Sequence, residues 1–231
     1  MTNFKITLYT DPVCAWCFIG HRTLDQAITL YQRTYPGGRH DMFEFIYHPF
    51  YLRNTKPEEG RMTLEDAMLA KNGTEAKVLA IKTKMQRIGT AHGILFNYDS
   101  KVGSTKLAHV LIQQAGRHRG AEVQKEMVGA MYSMHFEQGG NINNLDELVA
   151  VAVKVGVSEQ DAHAWLRDDQ VGAEVDELAR TAREELGVTS VPTIEIGGLR
   201  LEGAEDVGGI MEALVSVKEK EIAVGGAQDP F

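Results

Sequence analysis

The spacing of apolar and polar positions changes period twice along the chain. From Phe4 to Tyr9 the two alternate, with Phe4, Ile6 and Leu8 set against Lys5 and Thr7. That is the period of a half-buried strand. Leu24, Ala27, Ile28 and Tyr31 then recur at i, i+3, i+4 and i+7, one face of a helix. Tyr35-Pro36-Gly37-Gly38 stops it. Phe43 to Tyr47 is a largely apolar run, which predicts a central strand covered on both faces. Strand, crossover helix and strand together predict a right-handed βαβ unit with parallel strands.

From Thr63 to Leu186 the period is helical throughout. Thr63 with Asp66 reads as a capping pair. Asn72-Gly73-Thr74 reads as a helix stop followed by a helix start. Apolar stripes follow at Val78, Ile81, Met85 and Ile88, at Leu107, Val110, Leu111 and Ala115, and at Val123, Met127, Met131 and Met134. The methionines fit either a core face or an adaptable binding groove. Asn144 with Glu147 and Ser158 with Asp161 start two further helices, and Val171 to Ala182 forms a last stripe closed at Gly187. Strand character returns at Val191-Pro192-Thr193-Ile194-Glu195-Ile196. Gly197-Gly198 then makes a two-residue hairpin into Leu199 to Glu202. A final helix carries Val207, Ile210, Met211 and Leu214, and the polar stretch from Glu219 reads as a frayed tail. The segments are therefore 1–62, 63–186, 187–218 and 219–231.

Composition narrows the function classes. The chain has 231 residues, 43% of them hydrophobic, enough for a full core. A net charge of -8 with no basic stripe argues against a nucleic-acid surface. No apolar run approaches the ~20 residues that a bilayer crossing needs. The N-terminus runs straight into a strand without a secretory pattern, so a cytoplasmic location is expected.

The chemistry concentrates in one stretch, Asp11-Pro12-Val13-Cys14-Ala15-Trp16-Cys17-Phe18-Ile19-Gly20, which holds the only two cysteines. A C-x-x-C pair between a strand and a helix reads as a redox site. Unpaired N–H groups and the macrodipole at a helix N-terminus favour a thiolate. Cys14 is expected at the open helix end with its sulfur exposed, as the attacking thiol. Cys17, one turn in, is expected to be more buried and to resolve the mixed disulfide. Half of a metal site and two inert buried thiols are the competing readings. Zinc usually takes four ligands, and no second cysteine pair or finger-like histidine pair completes one. The second strand leads into His48-Pro49-Phe50, and ligands gather at such strand ends in open α/β sheets.

Both ends of the chain together resemble one family. Asp11-Pro12-Val13-Cys14, Trp16-Cys17, Ile19-Gly20, His48-Pro49-Phe50, Ala108-His109, Gly187-Val188 and Val191-Pro192-Thr193 carry the resemblance. It is to the DsbA-like branch of the thioredoxin superfamily, and within it to the FrnE-like subgroup. It covers roughly Phe4 to Val217. Ala15 stands where that subgroup has proline, which adds one N–H beside the thiolate. Glu205 stands where glutamine is frequent, and Ser104-Thr105 where Asn-Thr is common.

The resemblance implies a thioredoxin-like α/β fold with a large all-helical insertion between an N-terminal βαβ and a C-terminal ββα unit. It implies dithiol–disulfide oxidoreduction or isomerisation by Cys14 and Cys17. Trp16, Val191, Pro192 and His48 would lie along the substrate, with Pro192 in cis and the Val191 backbone pairing with an extended chain. No metal or organic cofactor is implied. The partner is a protein or small molecule carrying a thiol or disulfide, met by a monomer or a homodimer. The sister branch, kappa-class glutathione transferases and 2-hydroxychromene-2-carboxylate isomerases, implies a glutathione-dependent alternative. Glutathione enters there as cosubstrate, and for a dithiol enzyme as a redox partner.

Overall fold

In the computed structural model of the chain, residues 1–52 and 62–226 are described, with side chains to residue 223. Strand β1 (Asn3–Thr10) is the axis of a four-stranded sheet. Helix α1 (Ala15–Thr34) crosses over to β2 (Met42–Pro49), which pairs with β1 in parallel, Asn3 opposite Met42 and Thr10 opposite Pro49. This is the βαβ unit read from the periodicity. β3 (Thr193–Ile196) returns on the other side of β1, antiparallel, with Leu8 opposite Ile194. β4 (Leu199–Glu202) follows through Gly197 and Gly198, at φ 53 and 86. A hairpin of this kind needs a positive φ at both central residues, which glycine adopts without strain.

The sheet order is β2-β1-β3-β4. β2 is therefore an edge strand, not the central one that its apolar run suggests. The run is explained by what covers it. Helices α5 (Ala121–Phe136) and α8 (Asp169–Glu184) both pack against it. Its open edge is closed by side chains: Gln113 donates to the Tyr47 carbonyl at 2.7 Å, and the Tyr47 N–H donates to Gln124 at 3.3 Å. Covering an edge in this way blocks pairing with another chain.

Between the two sheet halves lie α2 (Leu64–Asn72), α3 (Glu75–Ala91), α4 (Lys106–Arg119), α5, α6 (Leu145–Lys154), α7 (Glu159–Arg167) and α8. The starts read from the sequence are used as caps. Thr63 and Asp66 form a reciprocal capping box, Asn144 accepts from Asp146 and Glu147, and Ser158 accepts from Asp161. The helices share their core with the sheet: Phe18 of α1 stacks on Tyr132 and Phe136 of α5. Met127, Met131 and Met134 are buried in that core, which decides against a groove.

The last helix, α9 (Val207–Gly226), runs about two turns into the stretch from Glu219 that reads as a frayed tail. Glu219 to Ala223 are exposed and have strong helix formers among them, so the apolar stripe stops while the helix continues. Lys218 anchors it, its ammonium 2.7 Å from the buried carboxylate of Asp41. Only residues 227–231 of the expected tail lie outside the described residues. Among the described residues no helix is long and apolar enough to cross a membrane.

Candidate active site

The site begins where β1 ends. The Asp11 carboxylate accepts from the Val13 N–H at 3.3 Å and the Leu52 N–H at 2.8 Å, and its carbonyl accepts from the Cys14 N–H at 2.9 Å. One buried side chain thus folds the Asp11-Pro12-Val13 turn and ties it to the segment after β2. The turn sets Cys14 as the N-cap of α1, with extended backbone (φ -96, ψ 108). Its sulfur accepts the Cys17 N–H at 3.3 Å, where a serine or aspartate oxygen usually stands. A negative charge on Cys14 Sγ therefore meets a backbone donor of the first helical turn.

From the far end of the chain, the segment before β3 closes over this thiol. Cys14 Sγ donates to the Val191 carbonyl at 3.6 Å. The Val191–Pro192 peptide is cis. Pro192 packs against α1 where Gly20 leaves room: a Cβ on Gly20 would stand 3.1 Å from the proline Cγ.

Both sulfurs belong to free cysteines. Cys17 is the deeper, at 2% exposure, but Cys14 is itself only 6% exposed. The expected order holds, and the expected exposed Cys14 sulfur does not, because the Val191 strand end lies over it. Burial pushes the Cys17 thiol well above its usual pKa. The hydrogen bond and charge of Cys14 push the same way, while the Thr10 hydroxyl and the Asp11 backbone pull it down. The two thiols are thus unlike in their surroundings. Cys14 caps a helix at the mouth, and Cys17 is a protonated group held behind it.

Trp16 projects from the first turn of α1 with 41% of its surface exposed, beside the mouth of the site. Val191 and Pro192 lie against Cys14 and Gly20, as described. His48 does not join them. It pairs with Tyr9 across the β1–β2 ladder and stacks on that ring at 5.3 Å. Phe4 and Tyr9 point to opposite faces of the sheet, and Phe4 packs edge-on against Tyr31 of α1, the helix that carries the pair. His48 thus lies on the face away from the cysteine pair.

Three further side chains pack around the end of β1 and the start of α1. Thr10, the last residue of β1, shares a hydrogen bond with the phenol of Tyr132 on α5. His109 of α4 is fully buried, its Nε2 4.0 Å from Asp11 Oδ1 and its ring edge-on to Tyr51. Burial pulls its pKa down to about 3 against the opposing Phe50 carbonyl, so the imidazole is neutral. Thr10 and Asp11 have a sequence signal, their place just before the cysteine pair. Tyr132 has none beyond its helical spacing. Among the described residues no group of three or more His, Cys, Asp or Glu could hold a metal ion.

Comparison with known proteins agrees with this geometry. The model of the DSBA-like thioredoxin domain matches residues 5–215. An uncharacterized protein of Bacillus subtilis, YwbO, is 24% identical over 220 residues, covering 94% of this chain and 98% of its own. Among solved structures, a probable DsbA oxidoreductase from Streptomyces coelicolor superposes with a TM-score of 0.80 at 22% identity, covering 99% of this chain and 92% of its own. A 2-hydroxychromene-2-carboxylate isomerase superposes with a TM-score of 0.67 at 14% identity, covering 95% and 98%. These similarities are in fold. With its match across nearly the whole chain, and a strand–C-x-x-C–helix facing a cis proline, the chain belongs to the DSBA-like thioredoxin domain family.

Proposed function

We propose that the chain is a dithiol–disulfide oxidoreductase in which Cys14 attacks and Cys17 resolves. The observation that carries this reading is the pair itself. One sulfur caps a helix and receives the Cys17 N–H at 3.3 Å, and the other lies one turn deeper. In reduction, the Cys14 thiolate attacks a substrate disulfide and one substrate thiolate leaves. Cys17 then attacks Cys14 Sγ, the Cys14–substrate bond breaks, and the pair ends as a disulfide. In oxidation the same steps run backwards. Two sulfurs exchange electrons and protons without a metal or organic cofactor.

Substrate specificity is assigned to the mouth. The half-exposed indole of Trp16 offers an apolar, amphipathic contact for a peptide or small thiol. Val191 and Pro192 offer backbone beside the reacting sulfur. The glutathione-dependent reading needs only one sulfur or hydroxyl at position 14. The retained Cys17 favours dithiol chemistry, with glutathione as a redox partner.

The test is a redox titration in glutathione buffers read by alkylation and intact mass, with single-cysteine variants alongside. A two-electron transition between roughly −120 and −270 mV is expected, the range of thiol oxidoreductases. Cys14→Ser abolishes turnover, and Cys17→Ser accumulates a mixed disulfide. Turnover retained in both variants, or a pair that never closes, overturns the reading.

A further inference from the structure

The outer edge of β2 is closed at Tyr47 and open two residues earlier. Along a strand the backbone groups of successive residues point to opposite edges. The Met42 and Phe50 N–H groups donate toward β1, to the Thr2 and Thr10 carbonyls at 2.9 and 3.0 Å. Tyr47 has the opposite parity. It turns its N–H and C=O outward, where Gln124 and Gln113 take them up. Phe45 shares that parity, so its N–H and C=O also face outward. Among the described residues nothing bonds to them there.

What they face is a cleft of about 320 Å³ between β2, α4, α5 and α8. Gln114 of α4 lines it. This residue is 2% exposed, yet its amide has no hydrogen-bond partner among the described residues. Buried side-chain amides are as a rule bonded, and the neighbouring Gln113 and Gln124 both are. Val175 and Leu178 of α8 supply an apolar wall. Among the described lining residues the one cation is Arg117, and Glu174 holds it at 2.8 Å.

We propose that this cleft binds a small neutral ligand with a lactam edge, an N–H and a C=O side by side, as in a cyclic amide, a ureide or a pyrimidine base. An extended residue holds its own N–H and C=O on one edge, so Phe45 presents a donor and an acceptor that a lactam matches with two hydrogen bonds. The Gln114 amide is both donor and acceptor and takes up a third polar atom. Val175 and Leu178 cover the apolar face of the ring. A few convergent polar groups on an apolar wall is the usual make-up of a small-ligand site. The volume lies at the low end of the roughly 300–1,000 Å³ of such sites, which suits a single ring better than a peptide strand. With Arg117 held by Glu174, the lining has no free cation to draw an anion. The cleft is separate from the cysteine pair: Phe45 pairs with Ile6, about 13 Å along β1 from Thr10. The inference therefore stands apart from the dithiol chemistry. The plain alternative is a solvated cleft whose amide meets only water.

Uracil is the probe, titrated into the isotope-labelled full chain and followed by amide chemical shifts. Its N,N′-dimethyl derivative, the same ring without donors, is the control. Uracil is expected to bind with a Kd on the order of 1 mM, as its size allows. It moves the Phe45 backbone amide and the Gln114 side-chain amide together and saturably, and the dimethyl derivative moves neither. Gln114→Leu removes a buried group that has no partner, so its urea midpoint is equal to or above the parent's. It weakens uracil about three- to tenfold, the worth of one hydrogen bond. The comparison of the two rings is made on the parent chain and needs no variant. Equal shifts with both rings, or shifts that never saturate, overturn the site. So does a Gln114→Leu chain that loses stability while uracil binding is retained, since the amide then serves the fold. Shifts caused by an extended hexapeptide, spread over Phe43, Phe45 and Tyr47 and absent with uracil, overturn the small ligand in favour of a docked strand. In every case thiol exchange at Cys14 and Cys17 is read separately, and its failure bears on the dithiol reading alone.

Discussion

The thiol of Cys14 donates to the backbone carbonyl of Val191 across 3.6 Å, joining residues 177 positions apart. That contact brings the two ends of the sheet to one point and makes Cys14 part of a covered mouth. The N-terminal strand supplies the turn, α1 supplies both sulfurs, and the segment before β3 supplies the lid over them. The helices between hold Tyr132 and His109 against the same place.

Gly20 fixes how closely α1 approaches that lid. In Gly20→Ala the new methyl stands 3.1 Å from Pro192 Cγ. Alanine gains about 1 kcal/mol of helix propensity over glycine, which the tight contact offsets. Thermal unfolding is expected within a few degrees of the parent, while disulfide exchange slows because Pro192 is displaced relative to Cys14. An unchanged rate would show that the position of the proline is not critical.

On the proposed reading Trp16 contacts substrate and contributes little to the fold. At 41% exposure, Trp16→Ala is expected to change stability by less than about 1 kcal/mol. Its effect is a raised KM for peptide disulfides with a smaller change in kcat. Urea denaturation and steady-state kinetics on the same preparation separate the two, and a large loss of stability would reassign Trp16 to packing.

Asp41 joins three parts of the fold. Its carboxylate accepts from Lys218 of α9 at 2.7 Å, from the Tyr31 hydroxyl of α1 at 2.9 Å and from the Thr2 N–H at 2.6 Å. Burial alone pushes this carboxyl up, yet the bonds from Lys218, Thr2 and Tyr31 hold it below its ordinary value. Its stabilisation is therefore present above about pH 4 and lost as pH falls through the folded pKa. Lys218→Met leaves a buried carboxylate without its cation, and a loss of roughly 3 kcal/mol in chemical denaturation at pH 7 is expected. A loss below about 1 kcal/mol would mean that the tyrosine and backbone donors suffice alone.

His21 and His109 set a different pH window. Burial, its largest cause, lowers His109 to about 3 against the Phe50 carbonyl. Burial likewise lowers His21 to about 4, although Asp25 opposes it. In the unfolded chain both titrate near about 6.5. The unfolded state then binds protons that the folded state refuses, so stability is full above about pH 6.5 and falls below it. By pH 5 the loss is about 2 kcal/mol for each histidine. Urea midpoints at pH 7 and pH 5 measure it, ahead of the acid window of Asp41. A flat profile between them contradicts neutral burial of the two rings.

Much of the candidate site was legible because its chemistry is local. A strand period, a turn residue and a C-x-x-C at a helix start are read from neighbours in sequence, and β1, α1, the hairpin at Gly197-Gly198 and the capped helices follow the pattern. Cys14 and Cys17 took their relative depths from helix geometry alone, one turn apart. Where the pattern misled, tertiary context had overridden it. The apolar run Phe43 to Tyr47 looked central but is an edge strand covered by helices and glutamine amides. The polar stretch from Glu219 looked frayed but is helical as far as Gly226, since a helix without an apolar stripe gives no periodic signal.

By itself, then, the sequence determined which two thiols stand at a helix start, because that placement is a property of a few adjacent groups. It could not say what surrounds them. Whether His48 or Thr10 looks toward α1 depends on which face of β1 and β2 receives that helix, and alternation alone does not choose. The meeting of Thr10 with Tyr132, 122 positions apart, and the cover of Cys14 by Val191 exist only after distant segments pack. A stripe on a helix states that a side chain is buried; only the tertiary structure decides which buried partner it meets.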